Sequence, residues 1–230
     1  MKVAVISDLH ANYEAVQALS DDLAEADAIL CLGDLLGYYC QVNETMDWVR
    51  THATHCVLGN HDDFVLHGCP ENVPPAVRFG VEFAAKNLDP SHASWLRQRP
   101  LTWDGQLDGR SFFLVHGSPW NPLGDYLYED NPRLAELAAL DFDVIAFGQT
   151  HRFVDRRFGD RIRLNPGAVG QSRDPETLAC ACAVMLDTRT MKLQRLTRRF
   201  DAHTVWHLAR SHGAGPWIEK HLILKDVSPN

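Results

Sequence analysis

The 230 residues, 45% hydrophobic and 23% charged, suffice for one large domain with a substantial core, and they carry no repeat or low-complexity bias. A formal charge of −8 at pH 7 weighs against long nucleic acid as a partner, because gripping a phosphate backbone calls for a basic surface that releases counterions; small substrates suit the chain better. The longest apolar run, LACACAVML at 178–186, is about half of what a membrane-spanning helix needs, so no membrane crossing is expected.

The N-terminal MKVAVISDLH has too short an apolar run for a signal-peptide core, and a cytoplasmic address is the expectation. The six cysteines, at 31, 40, 56, 69, 180 and 182, form no C-x-x-C pair and lie mostly within apolar runs. They read as core thiols without disulfides. Cys180 and Cys182 share one strand face, but two thiols make a poor structural zinc site.

In chain order, KVAVIS at 2–7 reads as a strand and NYEAVQALSDDLAEA at 12–26 as a helix. DAILCLG at 27–33 is a second strand, NETMDWVRTHA at 43–53 a second helix and HCVLGN at 55–60 a third strand. This alternation predicts a parallel sheet covered by helices. From 63 to 100 the rhythm changes to an insertion of two or three helices. Strands resume at 110–117 and 142–148, with a helix at 132–140 between them. Hairpins follow around the GD turn at 159–160 and in the 181–200 region, and helical spacing returns at the end. The expectation is one domain over 1–230, an α/β four-layer sandwich of two mixed sheets flanked by helices. Arg152, Arg156, Arg157, Arg161 and Arg163 alternate along a hairpin and read as a solvated face. Trp206 and Trp217 either close the sandwich or serve a dimer contact; oligomeric state is not legible.

Chemistry collects at the strand ends. Asp8 and His10 follow the first strand, Asp34 the second, GNHDD at 59–63 the third, His116 the fourth, and Gln149 and His151 the fifth. In open α/β sheets, ligand sites form beyond the carboxyl ends of strands, so these groups are expected to share one crevice. Carboxylates, imidazoles and amides without thiolates suit Mn, Fe or Zn, and their number suits two ions.

With DLH, GD, GNHD, HG and GQTH in this order, residues 3 to about 172 resemble the calcineurin-like metallophosphoesterase superfamily. GDLLGYY and NPGAVGQSRD are similar to its small bacterial phosphodiesterase branch. The resemblance implies that Asp8, His10 and His151 hold one metal, that Asn60, His116 and Gln149 hold the other, and that Asp34 bridges them. Two such cations acidify a shared water, and the resulting hydroxide attacks phosphorus in line. His61, beside Asn60, is then the general acid for the departing oxygen. Asp62 either orients that imidazole or caps the following helix, and Asn12 either touches phosphate or caps a helix.

The superfamily's last block reads Gly-His-x-His, and Gln149 stands at its first histidine. An amide oxygen is a harder and weaker donor toward zinc than imidazole, so the second ion is expected to bind less tightly or to be a harder one. Either Gln149 ligates, a water takes its place, or the second site is empty. The favoured function is hydrolysis of small, nucleotide-like phosphodiesters, with manganese preferred. The alternatives are a protein-binding scaffold with this fold, as in one retromer subunit, and an enzyme for phosphomonoesters, phosphoproteins or dinucleoside polyphosphates. Trp120, Tyr126 and Tyr128 either stack on a base or pack their own loop.

Overall fold

The structure, a computed structural model, describes residues 1–222. The first half gives β1 (Lys2–Ile6), α1 (Tyr13–Ala18), α2 (Ser20–Leu23), β2 (Ala28–Cys31), α3 (Val42–His52), β3 (His55–Cys56), α4 (Asn60–His67), α5 (Pro75–Asn87) and α6 (Pro90–Leu96). The second half gives β4 (Thr102–Leu107), β5 (Arg110–Val115), β6 (Val144–Ala146), β7 (Phe153–Phe158), β8 (Arg161–Pro166), β9 (Cys180–Asp187), β10 (Lys192–Arg199) and α7 (Ala202–Ser211).

Two five-stranded mixed sheets result, ordered β10-β9-β1-β2-β3 and β4-β5-β6-β8-β7. β1, β2 and β3 run parallel, as do β5, β6 and β8. Antiparallel strands complete both sheets: β9 returns beside β1 with Val5 opposite Val184, and β4 flanks β5.

The period-two alternation of each strand decides which layer a side chain fills. Val3, Val5, Leu30 and Leu32 join Phe112, Leu114, Val144, Ala146, Ile162 and Leu164 between the sheets. Their neighbours Ala4, Ile6, Ile29 and Cys31 face the helices, with Val16, Met46, Val81 and Ala209. Burial of each large apolar side chain contributes roughly 1.5–3 kcal/mol, so a one-residue register slip in β1 would exchange two filled layers. Trp206 and Trp217 pack on the helical layer and close that side.

The fourth layer is thin. Val115, Ile145, Phe147 and Val154 are covered by Leu127, Leu134 and Leu137. The stretch predicted as a helix at 132–140 forms two 3₁₀ turns, Pro132–Leu134 and Glu136–Ala139. Carbonyls at its end and just beyond accept from a side chain: the guanidinium of Arg163 donates to Leu137 O at 3.0 Å, Leu140 O at 3.1 Å and Phe142 O at 3.1 Å. Arg163 is fully buried and so departs from the solvated face assigned to the arginine cluster. Arg152, Arg156 and Arg157 are exposed as expected.

The predicted helix at 12–26 breaks at Leu19, where the Ser20 hydroxyl donates to Gln17 O at 2.7 Å and competes with the backbone ladder. Periodicity leaves β4 unassigned because it carries Asp104, Gly105 and Gln106; it forms by edge pairing with β5. Among the described residues no helix is long and apolar enough to cross a membrane.

Candidate metal centre

Five strand ends deliver the candidate groups to one place. Asp8 and His10 follow β1, Asp34 follows β2, Asn60 opens α4, His116 follows β5, and Gln149 and His151 follow β6. The backbone turns sharply at these points. Asp8 (φ 56°), His10 (52°), Asp34 (53°), Gln149 (67°) and His151 (58°) all occupy the left-handed region, which costs non-glycine residues roughly 1–2 kcal/mol each. Interlocking loops hold them there. Asp8 N–H donates to Gly33 O at 3.0 Å, His10 N–H to Asp34 O at 3.0 Å, Gly148 N–H to His116 O at 2.8 Å and Gly170 N–H to Asp8 O at 2.9 Å. Gly59 has to be glycine, since a Cβ there would collide with the carboxylate and backbone of Asp34.

Three imidazoles are oriented alike. His10 Nδ1 lies 3.0 Å from Leu36 O, His116 Nδ1 2.8 Å from Leu32 O and His151 Nδ1 2.6 Å from Gln171 O. A carbonyl oxygen only accepts, so each Nδ1 bears a proton and each ring turns its Nε2 to the site, where it offers a lone pair whenever the ring is neutral. The Nε2 atoms of His10 and His151 are 3.1 Å apart. Asp8 Oδ1 lies 3.3 Å from His151 Nε2 and 3.8 Å from His10 Nε2. On the other side, Asp34 Oδ2 lies 3.7 Å from His10 Nε2 and 3.3 Å from His116 Nε2, which is 3.1 Å from Asn60 Oδ1. Asp34 therefore stands between two donor groups. Ligand atoms of Asp8, His10, Asp34 and His151 all fall within 4.8 Å of one another.

The electrostatics fit a cation. Burial pushes the Asp8 carboxyl up to about 6, and burial drives His10 and His151 well below the ordinary histidine value. Burial also opposes the charges on Asp34 and His116, but their mutual attraction wins: Asp34 is held below the usual carboxylate range and His116 is raised to about 10. Buried Asp8 Oδ1 has no hydrogen-bond partner. An orphaned carboxylate oxygen beside desolvated imidazoles is costly, and a divalent ion would offset that cost.

Gln149 is oriented as well. Its Nε2 donates to Leu123 O at 3.2 Å, its backbone N–H donates to Asp8 Oδ2 at 3.3 Å, and its buried Oε1 has no partner. The amide thus carries an uncommitted carbonyl oxygen beside the cluster. His61 is buried, stacks on Tyr38 with centroids 4.9 Å apart and meets His10 edge-on at 4.8 Å. Its Nδ1 has no partner, and burial lowers its pKa. Its backbone N–H donates to Asp34 Oδ1 at 2.8 Å and steadies that carboxylate.

Of the two roles open to Asp62, orienting the His61 imidazole finds no contact. Oδ1 accepts from Leu35 N–H at 2.9 Å and Leu36 N–H at 3.1 Å, and Oδ2 accepts from Gly59 N–H at 3.1 Å. Asp62 ties the Asp34 loop to the start of α4. Asn12 is also a cap: Oδ1 accepts from Ala15 N–H at 3.1 Å and Nδ2 donates to Gly170 O at 2.8 Å.

A cavity of about 310 Å³ opens beside Asp34, Asn60, His61, Gln149 and His151, and Tyr126 reaches its wall. Trp120 lies instead under the Arg133 guanidinium, at 4.3 Å. Two wall residues, Tyr38 and Arg173, received no role from the sequence although GDLLGYY and GQSRD contain them.

A family model for the calcineurin-like phosphoesterase superfamily domain matches residues 1–191. Over 96% of its length the chain is 26% identical to the uncharacterized protein MJ0912 of Methanocaldococcus jannaschii, 97% of which is covered. The crystal structure of a metallophosphoesterase from Sphaerobacter thermophilus matches with a TM-score of 0.82 and 27% identity, over 96% of this chain and 98% of that one. The hypothetical protein PH1004 from Pyrococcus horikoshii OT3 matches in fold, with a TM-score of 0.84 at 16% identity over 96% and 97% of the two chains. With the family's blocks present in order and their side chains gathered at one cleft, the chain belongs to the calcineurin-like phosphoesterase superfamily.

Proposed function

We propose that the protein is a dinuclear metal-dependent phosphoesterase acting on small, nucleotide-like phosphodiesters. The observation that carries this reading is the pinning of three imidazoles through Nδ1, which turns their Nε2 atoms toward two buried carboxylates. Asp8, His10 and His151 would hold one ion, Asn60, His116 and Gln149 the other, with Asp34 shared. Nitrogen and hard oxygen donors without thiolate suit manganese, iron or zinc, manganese being favoured. A bound pair of such cations acidifies water and neutralises charge on phosphate oxygens.

The remaining chemistry belongs to the chain. His61 faces the cavity beside Asn60 and is the group to protonate the departing oxygen. Burial makes the protonated ring a strong acid, and a phosphate anion beside it favours that protonated form. The His61 N–H donates to Asp34 Oδ1 at 2.8 Å and would hold that carboxylate in place beside the ions. Phe64, Val73 and Tyr126 give the cavity an apolar side, which supports an ester group accompanying the phosphate.

The test is a panel of an aryl monoester, a cyclic nucleotide, an aryl diester and a dinucleoside polyphosphate, each with manganese, iron and zinc and after chelation. The aryl diester should turn over fastest with manganese and stop on chelation. Faster monoester hydrolysis would overturn the diester assignment, and no hydrolysis with any metal would overturn the enzyme.

A further inference from the structure

The cleft continues beyond the ligands. Tyr38, Pro74 and Arg173 line both the metal-centre cavity and a second chamber of about 410 Å³, whose far wall includes Trp217 and Ile218. Trp217 is half-buried and braced against Phe79 at 5.4 Å between ring centroids. The second chamber presents the aromatic face of Trp217 and two prolines, Pro74 and Pro75, with Gln171 and Lys220 as further polar groups in its wall.

Arg173 stands at the boundary between the two. Its Nη2 donates to Tyr38 Oη at 2.9 Å and to Gln171 Oε1 at 3.4 Å, both neutral groups. The adjacent carboxylate, Asp174, pairs with Arg195 instead, at 3.1 Å. Among the described residues no carboxylate pairs with Arg173, yet it lines the same cavity as Asp34, His61 and His151, and its backbone N–H donates to His151 O at 3.1 Å. A guanidinium held next to a cation-binding cluster is repelled by whatever the cluster binds, unless an anion lies between them. A phosphate oxygen meets that need, and the planar fork of arginine suits it.

We infer that Arg173 positions the substrate phosphate where the two chambers meet, and that the chamber under Trp217 receives a flat, ring-bearing organic group of the ester. This rests on the phosphoesterase reading above and adds to it the residues that would select the organic group, so that aryl or nucleoside esters bind in preference to alkyl ones.

Binding by the manganese-loaded protein tests this without turnover. Calorimetric titration with phenylphosphonate, which has no ester bond to cleave, should give affinity about tenfold or more above that for methylphosphonate, the difference being the ring's contact. Trp217→Ala should shrink that preference to below about threefold, as should the bulkier Trp217→Leu, which preserves packing if the alanine variant is unstable. Arg173→Gln should weaken both probes by about tenfold or more, and Arg173→Lys should recover part of the loss. Equal binding of the two probes by wild type, or a preference that survives both Trp217 variants, would remove the organic-group chamber. Unchanged methylphosphonate affinity in Arg173→Gln would remove the positioning role. If the pattern holds while no ester is hydrolysed, the proposed activity falls and what stands is a binding site, with Arg173 on the anion and the chamber under Trp217 on the ring.

Discussion

Replacing Asp62 by alanine should loosen the metal centre without altering a metal ligand. Three backbone N–H groups, those of Leu35, Leu36 and Gly59, donate to this buried carboxylate. Each buried donor left without an acceptor costs roughly 1–3 kcal/mol. The low end applies, because water can enter and because the carboxylate itself is strained by burial, which with the charge on Asp34 raises it to about 7. The sum is about 3 kcal/mol, or roughly 6–12 °C in the unfolding midpoint for a chain of this size. Asp62→Asn keeps one carbonyl oxygen for Leu35 and Leu36 and orphans only Gly59, so about 1–2 kcal/mol is expected. Because the tethered loop carries Asp34, manganese affinity should fall about 10–100-fold in the alanine variant. Thermal unfolding in chelator and manganese titration read the two effects. Unfolding within about 2 °C of wild type with unaltered manganese affinity would refute the tethering role.

His61→Asn should slow hydrolysis about 10²–10⁴-fold while elemental analysis finds the same metal content; loss of metal along with rate would make the ring a ligand instead. Gln149→His should tighten the second ion, since imidazole is the stronger donor toward zinc. Lower activity with unchanged metal content would refute weak ligation by the amide. The metal-free protein should lose stability from about pH 6.5 up to about pH 10, because His116, raised to about 10, binds more proton folded than unfolded over that range. Ligation requires the neutral ring, so the gap in unfolding midpoint between manganese-loaded and chelated protein should widen with pH. A constant gap would contradict the Asp34–His116 pairing.

The strand ends were legible because their chemistry is local: Asp8, His10, Asp34, Asn60 and His116 each sit within a few residues of a β-branched or apolar run. The layering was legible for the same reason, since Val3 and Val5 alternate with Ala4 and Ile6 in one short stretch. What stayed hidden depends on distant backbone. Asp62 acts on N–H groups 26 and 27 residues earlier, and nothing around it distinguishes that from an ordinary cap. Arg163 resembles its solvated neighbours, and only the carbonyls at 137–142 reveal why it is buried. Arg173 reaches Tyr38 across 135 positions of sequence, so neither residue signals the cleft they share.

The central claim is that these strand ends converge on two cations. Anomalous diffraction from crystals grown with excess manganese tests it most directly. We expect two peaks about 3.5–4 Å apart, one beside Asp8, His10 and His151 and one beside Asn60 and His116, with Asp34 touching both. Peaks elsewhere, or none among these side chains, would contradict it.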